Sequence, residues 1–318
     1  MMGRQGIRLI LVLTALVALV AVPSAADAKK KKKPKSPPVT VVSNTQSTVG
    51  SNQVLTVTAS CPAGKIAVGG GFSTAPVIVG PTISDLNFVF ESRRASNTAW
   101  QSSVVRYDSS TPGNTLPVTA SVDCRTPNLT SKKKSKKSAA TAKKKKKKIK
   151  VSEVSAAQTA ATAPDLAESS AACPAGTQAL SGGFSISPPP IPTPTLLIPW
   201  ASYRSSPTTW RSGFTSGASG PETMTSYAYC AAGLKITEVS GNATLAASGP
   251  SYVTGTATTS PCPKGKALLS GGFNNSPAVS GGSLALIQGS SPVGGSWQVS
   301  AVNLSSVAGQ LGSLGYCA

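Results

Sequence analysis

Cys61-Pro62-Ala63-Gly64 running on to Gly70-Gly71-Phe72, Cys173-Pro174-Ala175-Gly176 to Gly182-Gly183-Phe184, and Cys262-Pro263-Lys264-Gly265 to Gly271-Gly272-Phe273 are one motif written three times. The step from Cys to Phe is 11 residues in every copy. A Trp follows each first Cys by 35 to 39 residues (Trp100, Trp210, Trp297), and a second Cys closes the copy 20 to 24 residues later (Cys124, Cys230, Cys317). Each copy opens on a short β-branched stretch: Val39 to Ser43, Val151 to Ser155, and Ile236 to Ser240. A self-similar period of this length sets the architecture before any single element is assigned.

Within a copy the pattern is that of strands. Leu55, Val57, Ala59 and Cys61 share one face of an alternating segment, as do Leu116, Val118, Ala120, Val122 and Cys124. Period two is the strand signature, and it puts both cysteines of a copy on an apolar face where they can meet. Ile66-Ala67-Val68, Asn87 to Phe90 and Trp100 to Tyr107 are further strands bounded by turn residues, and Ala-rich residues 156–172 carry no helical period. Six short strands in about 85 residues predict an all-β chain of three tandem small antiparallel sandwich or barrel-like domains, each closed by one disulfide. The expected pairs are Cys61 with Cys124, Cys173 with Cys230, and Cys262 with Cys317.

The boundaries follow from composition. Residues 1–28 read as a secretory signal: Arg4 and Arg8 precede an apolar run from Leu9 to Val22, and Ala26-Asp27-Ala28 offers a small-x-small cleavage site. Residues 29–38 are a basic tail, 39–124 repeat one, 125–150 a lysine-rich linker, 151–230 repeat two and 231–318 repeat three. Export implies an oxidising setting, where six cysteines at repeated spacing are disulfides and not metal ligands.

The net charge of +20 is not spread over the chain. Lys29, Lys30, Lys31, Lys32, Lys33 and Lys35 carry six charges. Lys132, Lys133, Lys134, Lys136, Lys137, Lys143, Lys144, Lys145, Lys146, Lys147, Lys148 and Lys150 carry twelve. Setting these and the two leader arginines aside leaves ten basic groups against nine acids, so the repeats themselves are nearly neutral. Like charges in blocks repel and build no core, so both runs are expected to be disordered segments that bind polyanions.

The Pro-x-Gly after each first Cys reads as a turn, with Gly at the position that takes a positive φ. Gly70-Gly71, Gly182-Gly183 and Gly271-Gly272 lack the Lys-Ser or Lys-Thr of a phosphate loop, which leaves a bulge or a close backbone approach, with Phe72, Phe184 and Phe273 filling the core. Trp100, Trp210 and Trp297 have two readings, a sugar-stacking surface ring or a core anchor against the disulfide. One Trp at a fixed place in every copy favours the core. The whole pattern resembles a Cys-Pro-x-Gly, Gly-Gly-Phe, Ser-Pro, Trp, Cys module of exported actinobacterial proteins. Its Ser-Pro element stands at Ser206-Pro207 and Ser291-Pro292 and is replaced by Ser96-Asn97 in repeat one. The resemblance implies export and a disulfide-closed β-domain, and it implies no activity.

Catalysis finds little support in the residue inventory. The chain has no His, its thiols are committed to disulfides, and its acids do not recur between copies. Asp85, Glu91 and Asp108 in repeat one are the only acids left as candidates. No cofactor or metal motif is present. Two readings remain: a non-catalytic envelope or matrix protein whose lysines hold anionic surface polymers, or a lectin-like or protein-binding module. In the second, ligand loops would lie after Gly-Gly-Phe, at Ser73 to Leu86, Pro188 to Pro199 and Asn274 to Ser283.

Overall fold

A computed structural model describes residues 39–50, 52–79, 82–108, 115–129, 147–160, 165–187, 189, 198–216, 221–249, 251–275 and 285–318. The expected signal, the basic tail and Lys132 to Lys146 lie outside these residues. Residues 34–318 form one compact unit.

The described chain is all-β and antiparallel, and no helix interrupts it. Repeat one contributes β1 (Thr40–Thr48), β2 (Val54–Ser60), β3 (Ile66–Thr74), the short β4 (Val77–Val79), β5 (Thr82–Ser96), β6 (Ala99–Asp108) and β7 (Leu116–Arg125). The two-residue strands β8 (Asn128–Leu129) and β9 (Lys147–Lys148) follow. Repeat two is β10 (Val151–Ala160), β11 (Asp165–Ala172), β12 (Gln178–Ser187), β13 (Ile198–Ser206), β14 (Thr209–Ser216) and β15 (Glu222–Ala231). Repeat three is β16 (Thr237–Leu245), β17 (Val253–Thr258), β18 (Leu268–Asn275), β19 (Ala285–Val293), β20 (Ser296–Asn303) and β21 (Gly309–Cys317). Cys61 bonds Cys124, Cys173 bonds Cys230 and Cys262 bonds Cys317, each across 55 to 63 residues of sequence. Closing a loop of that length is worth on the order of 4 kcal/mol in the chain-entropy account.

The sheets cut across the repeats. Their strand orders are β1-β7-β3-β19-β20-β17, β10-β15-β12-β5-β6-β2 and β11-β14-β13-β18-β21-β16. Each joins three strands of one repeat to three strands of another, with the short β4 added beside β5 in the second, so repeat one shares sheets with both three and two, and two shares one with three. None of the three sheets is a closed barrel. The all-β, antiparallel, sandwich-like architecture with one disulfide per repeat is as expected, and its sheets are shared between the repeats by a cyclic exchange. The physical reason lies in the Gly-Gly strand, which has no side chains to cover it and is completed by a neighbour's strand.

The joins are short. Phe72 pairs with Ser290, Phe184 with Ser92 and Phe273 with Ser202, each followed by one further residue pair. A Cβ on Gly71 would meet the Ser290 carbonyl, one on Gly183 that of Ser92, and one on Gly272 that of Ser202. The first glycine of each pair serves a different neighbour: a Cβ on Gly70, Gly182 or Gly271 would enter the ring of Trp100, Trp210 or Trp297. A register shift precedes the glycines in every copy, at Ala67/Gly69, Ala179/Ser181 and Leu268/Ser270. It turns Val68, Leu180 and Leu269 inward, where they pack with Ile149 and Ala231.

Phe72, Phe184 and Phe273 meet where the three repeats converge, edge to face, with centroids 6.2 to 6.4 Å apart. Such pairs add about 0.5–1.5 kcal/mol each beyond area burial. Each Trp indole N–H donates to the serine of the joining strand of its own repeat: Trp100 to Ser92 at 3.0 Å, Trp210 to Ser202 at 3.0 Å and Trp297 to Ser290 at 2.9 Å. All three rings are buried, so the donor is satisfied without water. The space left among these residues is about 10 Å³, room for a single water at most.

The expected linker is also partly ordered. Arg125 ends β7, Asn128 pairs with Lys148 and Leu129 with Lys147, and Ile149 is buried. The chain therefore leaves at Leu129 and returns at Lys147 on a two-stranded stem. Strands β12 and β5 join repeats one and two in one sheet, and residues 130–146 lie outside the described residues.

Gly183→Val in the full chain tests the shared sheet. The added side chain would displace the neighbouring strand, and a loss of at least about 2 kcal/mol in denaturant unfolding is expected. Unchanged stability would contradict the close approach.

Candidate functional site

Strand directions give the unit two distinct ends. At one lie the starts of β1, β10 and β16, the Pro-x-Gly turns, the disulfides and the ends of β7, β15 and β21. Gly64, Gly176 and Gly265 close the turns with φ of 78°, 79° and 88°. In each turn the amide of Lys65, Thr177 or Lys266 donates to the carbonyl of Pro62, Pro174 or Pro263. At the other end lie Thr74, Ser187 and Asn275, from which the expected ligand loops depart. Ser73 to Leu86 is described except for residues 80 and 81 and carries β4 paired with the start of β5, whereas the other two loops fall mostly outside the described residues.

All described lysines sit at the disulfide end. Lys65 and Lys266 follow the turns and Lys264 is within one; Lys148 and Lys150 precede β10, and Lys235 lies between β15 and β16. Lys148, Lys150, Lys235 and Lys264 are exposed. Lys65 and Lys266 are half-buried and bond the hydroxyls of Thr40 and Thr237. Val39, where the described chain begins, and the β8–β9 stem lie at this same end, while Lys29 to Lys35 and Lys132 to Lys146 lie outside the described residues. The sequence did not display that Lys65, Lys235, Lys264 and Lys266 from separate repeats gather at one end, since that follows from strand direction.

The acids considered as catalytic candidates are tied into structural pairs. Asp85 accepts from the guanidinium of Arg106 at 2.8 Å, and both are buried. Glu91 accepts from Ser103 and Gln101 through one oxygen and from Arg93 through the other. The side chain of Asp108 lies outside the described residues.

The junctions between repeats carry a residue set that periodicity alone does not announce. Tyr229 crosses from repeat two to meet Trp100 edge-on at 5.6 Å, and its hydroxyl accepts the Arg94 amide at 2.7 Å. Tyr316 crosses from repeat three to Trp210 at 5.6 Å and accepts the Arg204 amide at 2.7 Å. Burial pushes both phenols above their ordinary range. The signal available in sequence is that each Tyr directly precedes its second Cys. Asp123 holds that place in repeat one. Two clefts of about 410 Å³ open at junctions, one beside Arg204, Tyr203 and Glu238, the other beside Asp123 and Leu268. The sequence matches no protein family model and no curated protein.

Asp123 is buried and its Oδ2 has no hydrogen-bond partner. Burial pushes its carboxyl up to about 8. The folded chain therefore holds this proton to a higher pH than the unfolded chain, whose Asp titrates near 3.9. Folding takes up a proton between those limits, and stability falls as pH rises through the window. Asp123→Asn removes this contribution. The thermal midpoint of the wild type is expected to drop more steeply than the variant's between pH 5 and 8; parallel profiles would contradict the buried carboxyl.

Proposed function

We propose that this is a non-catalytic exported protein held at a cell envelope or extracellular matrix by electrostatic binding of anionic polymers. The reading rests on the segregation of charge: eighteen lysines fall in two runs of the sequence, the described lysines sit at one end of the unit, and the repeats are otherwise nearly neutral. The disulfides belong to a chain matured in an oxidising environment. No helix among the described residues is long and apolar enough to cross a membrane.

Clustered lysines displace counterions from a polyanion, so affinity falls linearly with log salt and depends little on the polymer's chemistry. Near an anionic membrane each lysine adds about 1 kcal/mol, and a dozen suffice for retention. Because Lys65, Lys235, Lys264 and Lys266 gather at one end, the folded face contributes alongside the two runs. The opposite end is then left facing away from the polymer. There the expected loops after Thr74, Ser187 and Asn275 leave from corresponding strand ends. That convergence favours a second reading, a recognition module whose ligand loops come from all three repeats.

A variant lacking residues 29–35, with 130–146 replaced by Asn-Gly to cap the β8–β9 stem, separates the readings. Binding to teichoic acid and to double-stranded DNA would be followed between 50 and 200 mM salt. The account expects a loss of at least about tenfold at the lower salt and a shallower salt slope for both polymers. Unchanged affinity and slope would place binding on the β-surface and favour the recognition module.

A further inference from the structure

One of the three junctions departs from the pattern of the others. Ser92 and Ser202, which receive the indole donors, are followed two residues later by Arg94 and Arg204, whose amides bind Tyr229 and Tyr316. In repeat three the sequence reads Ser290-Ser291-Pro292, and the residue across the junction is Asp123. Both halves of the bond are lost: Pro292 has no amide hydrogen and Asp123 has no ring. Trp297 stands where Trp100 and Trp210 stand, held by Ser290, yet no aromatic ring among the described residues meets it.

A cleft of about 410 Å³ opens at this junction, with Val39, Val41, Leu268, Pro292, Lys266 and Asp123 among its walls. That volume falls in the range of small-molecule sites. The aliphatic side chains supply an apolar wall. Lys266 is held by the Thr237 hydroxyl and the Lys235 carbonyl. Asp123 is 1% exposed and keeps Oδ2 unpartnered. A buried oxygen in that condition carries a desolvation penalty that a ligand donor would offset.

We propose that this cleft binds a small neutral molecule with an apolar body and one hydrogen-bond donor, a phenol being the simplest. The donor goes to Asp123. A ligand offering only an acceptor finds no amide at Pro292. A cation is disfavoured beside the Lys266 ammonium. The cleft shares Lys266 with the basic end, while its ligand is uncharged.

Titration of p-cresol, the free tyrosine side chain, into the full chain by NMR is the direct test. Saturable one-to-one binding is expected, with toluene, which lacks the donor, at least about tenfold weaker. Asp123→Tyr writes the residue of the other junctions into the third and should abolish binding. Val41→Trp blocks the rim from an exposed position on β1, in register with Asp123, and should do the same if Asp123→Tyr fails to fold. Absence of saturable binding, equal affinity for toluene, or binding retained in a folded Asp123→Tyr or in Val41→Trp would overturn the proposal.

Discussion

Everything in this fold depends on the approach of one strand's carbonyl to a glycine in the next repeat. Ser290 against Gly71, Ser92 against Gly183 and Ser202 against Gly272 are contacts that no side chain on the glycine would allow. They let each Gly-Gly-Phe strand take its outer partner from another repeat, and the three Phe rings then close on one another. Because the exchange is cyclic, no repeat keeps a complete sheet to itself. The disulfides act within repeats, tying the first strand turn to the last strand, while the glycines act between them. Covalent closure and shared sheets therefore divide the work: one limits the unfolded chain, the other couples the repeats in the folded state.

Charge and symmetry follow different rules on this scaffold. Cyclic exchange aligns the strands of all three repeats, so residues at corresponding positions gather at one end. The lysines of the Pro-x-Gly turns and of the connections between repeats gather there. Chemistry that is unremarkable in one repeat becomes a basic face in three. The junctions, in contrast, are where the copies have diverged. Tyr229 and Tyr316 bridge two of them, and the third, with Asp123 and Pro292 in place of that pair, has an unpartnered carboxyl oxygen.

Much of this was legible in the residues. Period two at Leu116 to Cys124 gave the strand and its buried face, and the positive φ of Gly64, Gly176 and Gly265 follows from the Pro-x-Gly spacing. The glycine pairs read as a bulge or close approach, and the structure has both: the bulge one step earlier, the approach at the second glycine. Which backbone approaches was not legible. Phe72 and Ser290 are more than two hundred residues apart, and an alternating pattern says that a strand has a buried face without naming its neighbour. The same limit hid that Ile149 packs into the folded unit. Lysine blocks argue against a core, yet Ile149 at the edge of the block is buried by the residues that the bulges turn inward. Tyr229 and Tyr316 were visible beside their cysteines, but their partners Trp100 and Trp210 lie in other repeats.

Cyclic sharing makes a sharp demand on cooperativity. Differential scanning calorimetry of the full chain with its disulfides intact is the most direct measurement. A single transition whose calorimetric and van't Hoff enthalpies agree is the result expected of interlocked repeats. Three resolved transitions, or cooperative unfolding of isolated residues 151–231 at the temperature of the full chain, would contradict it.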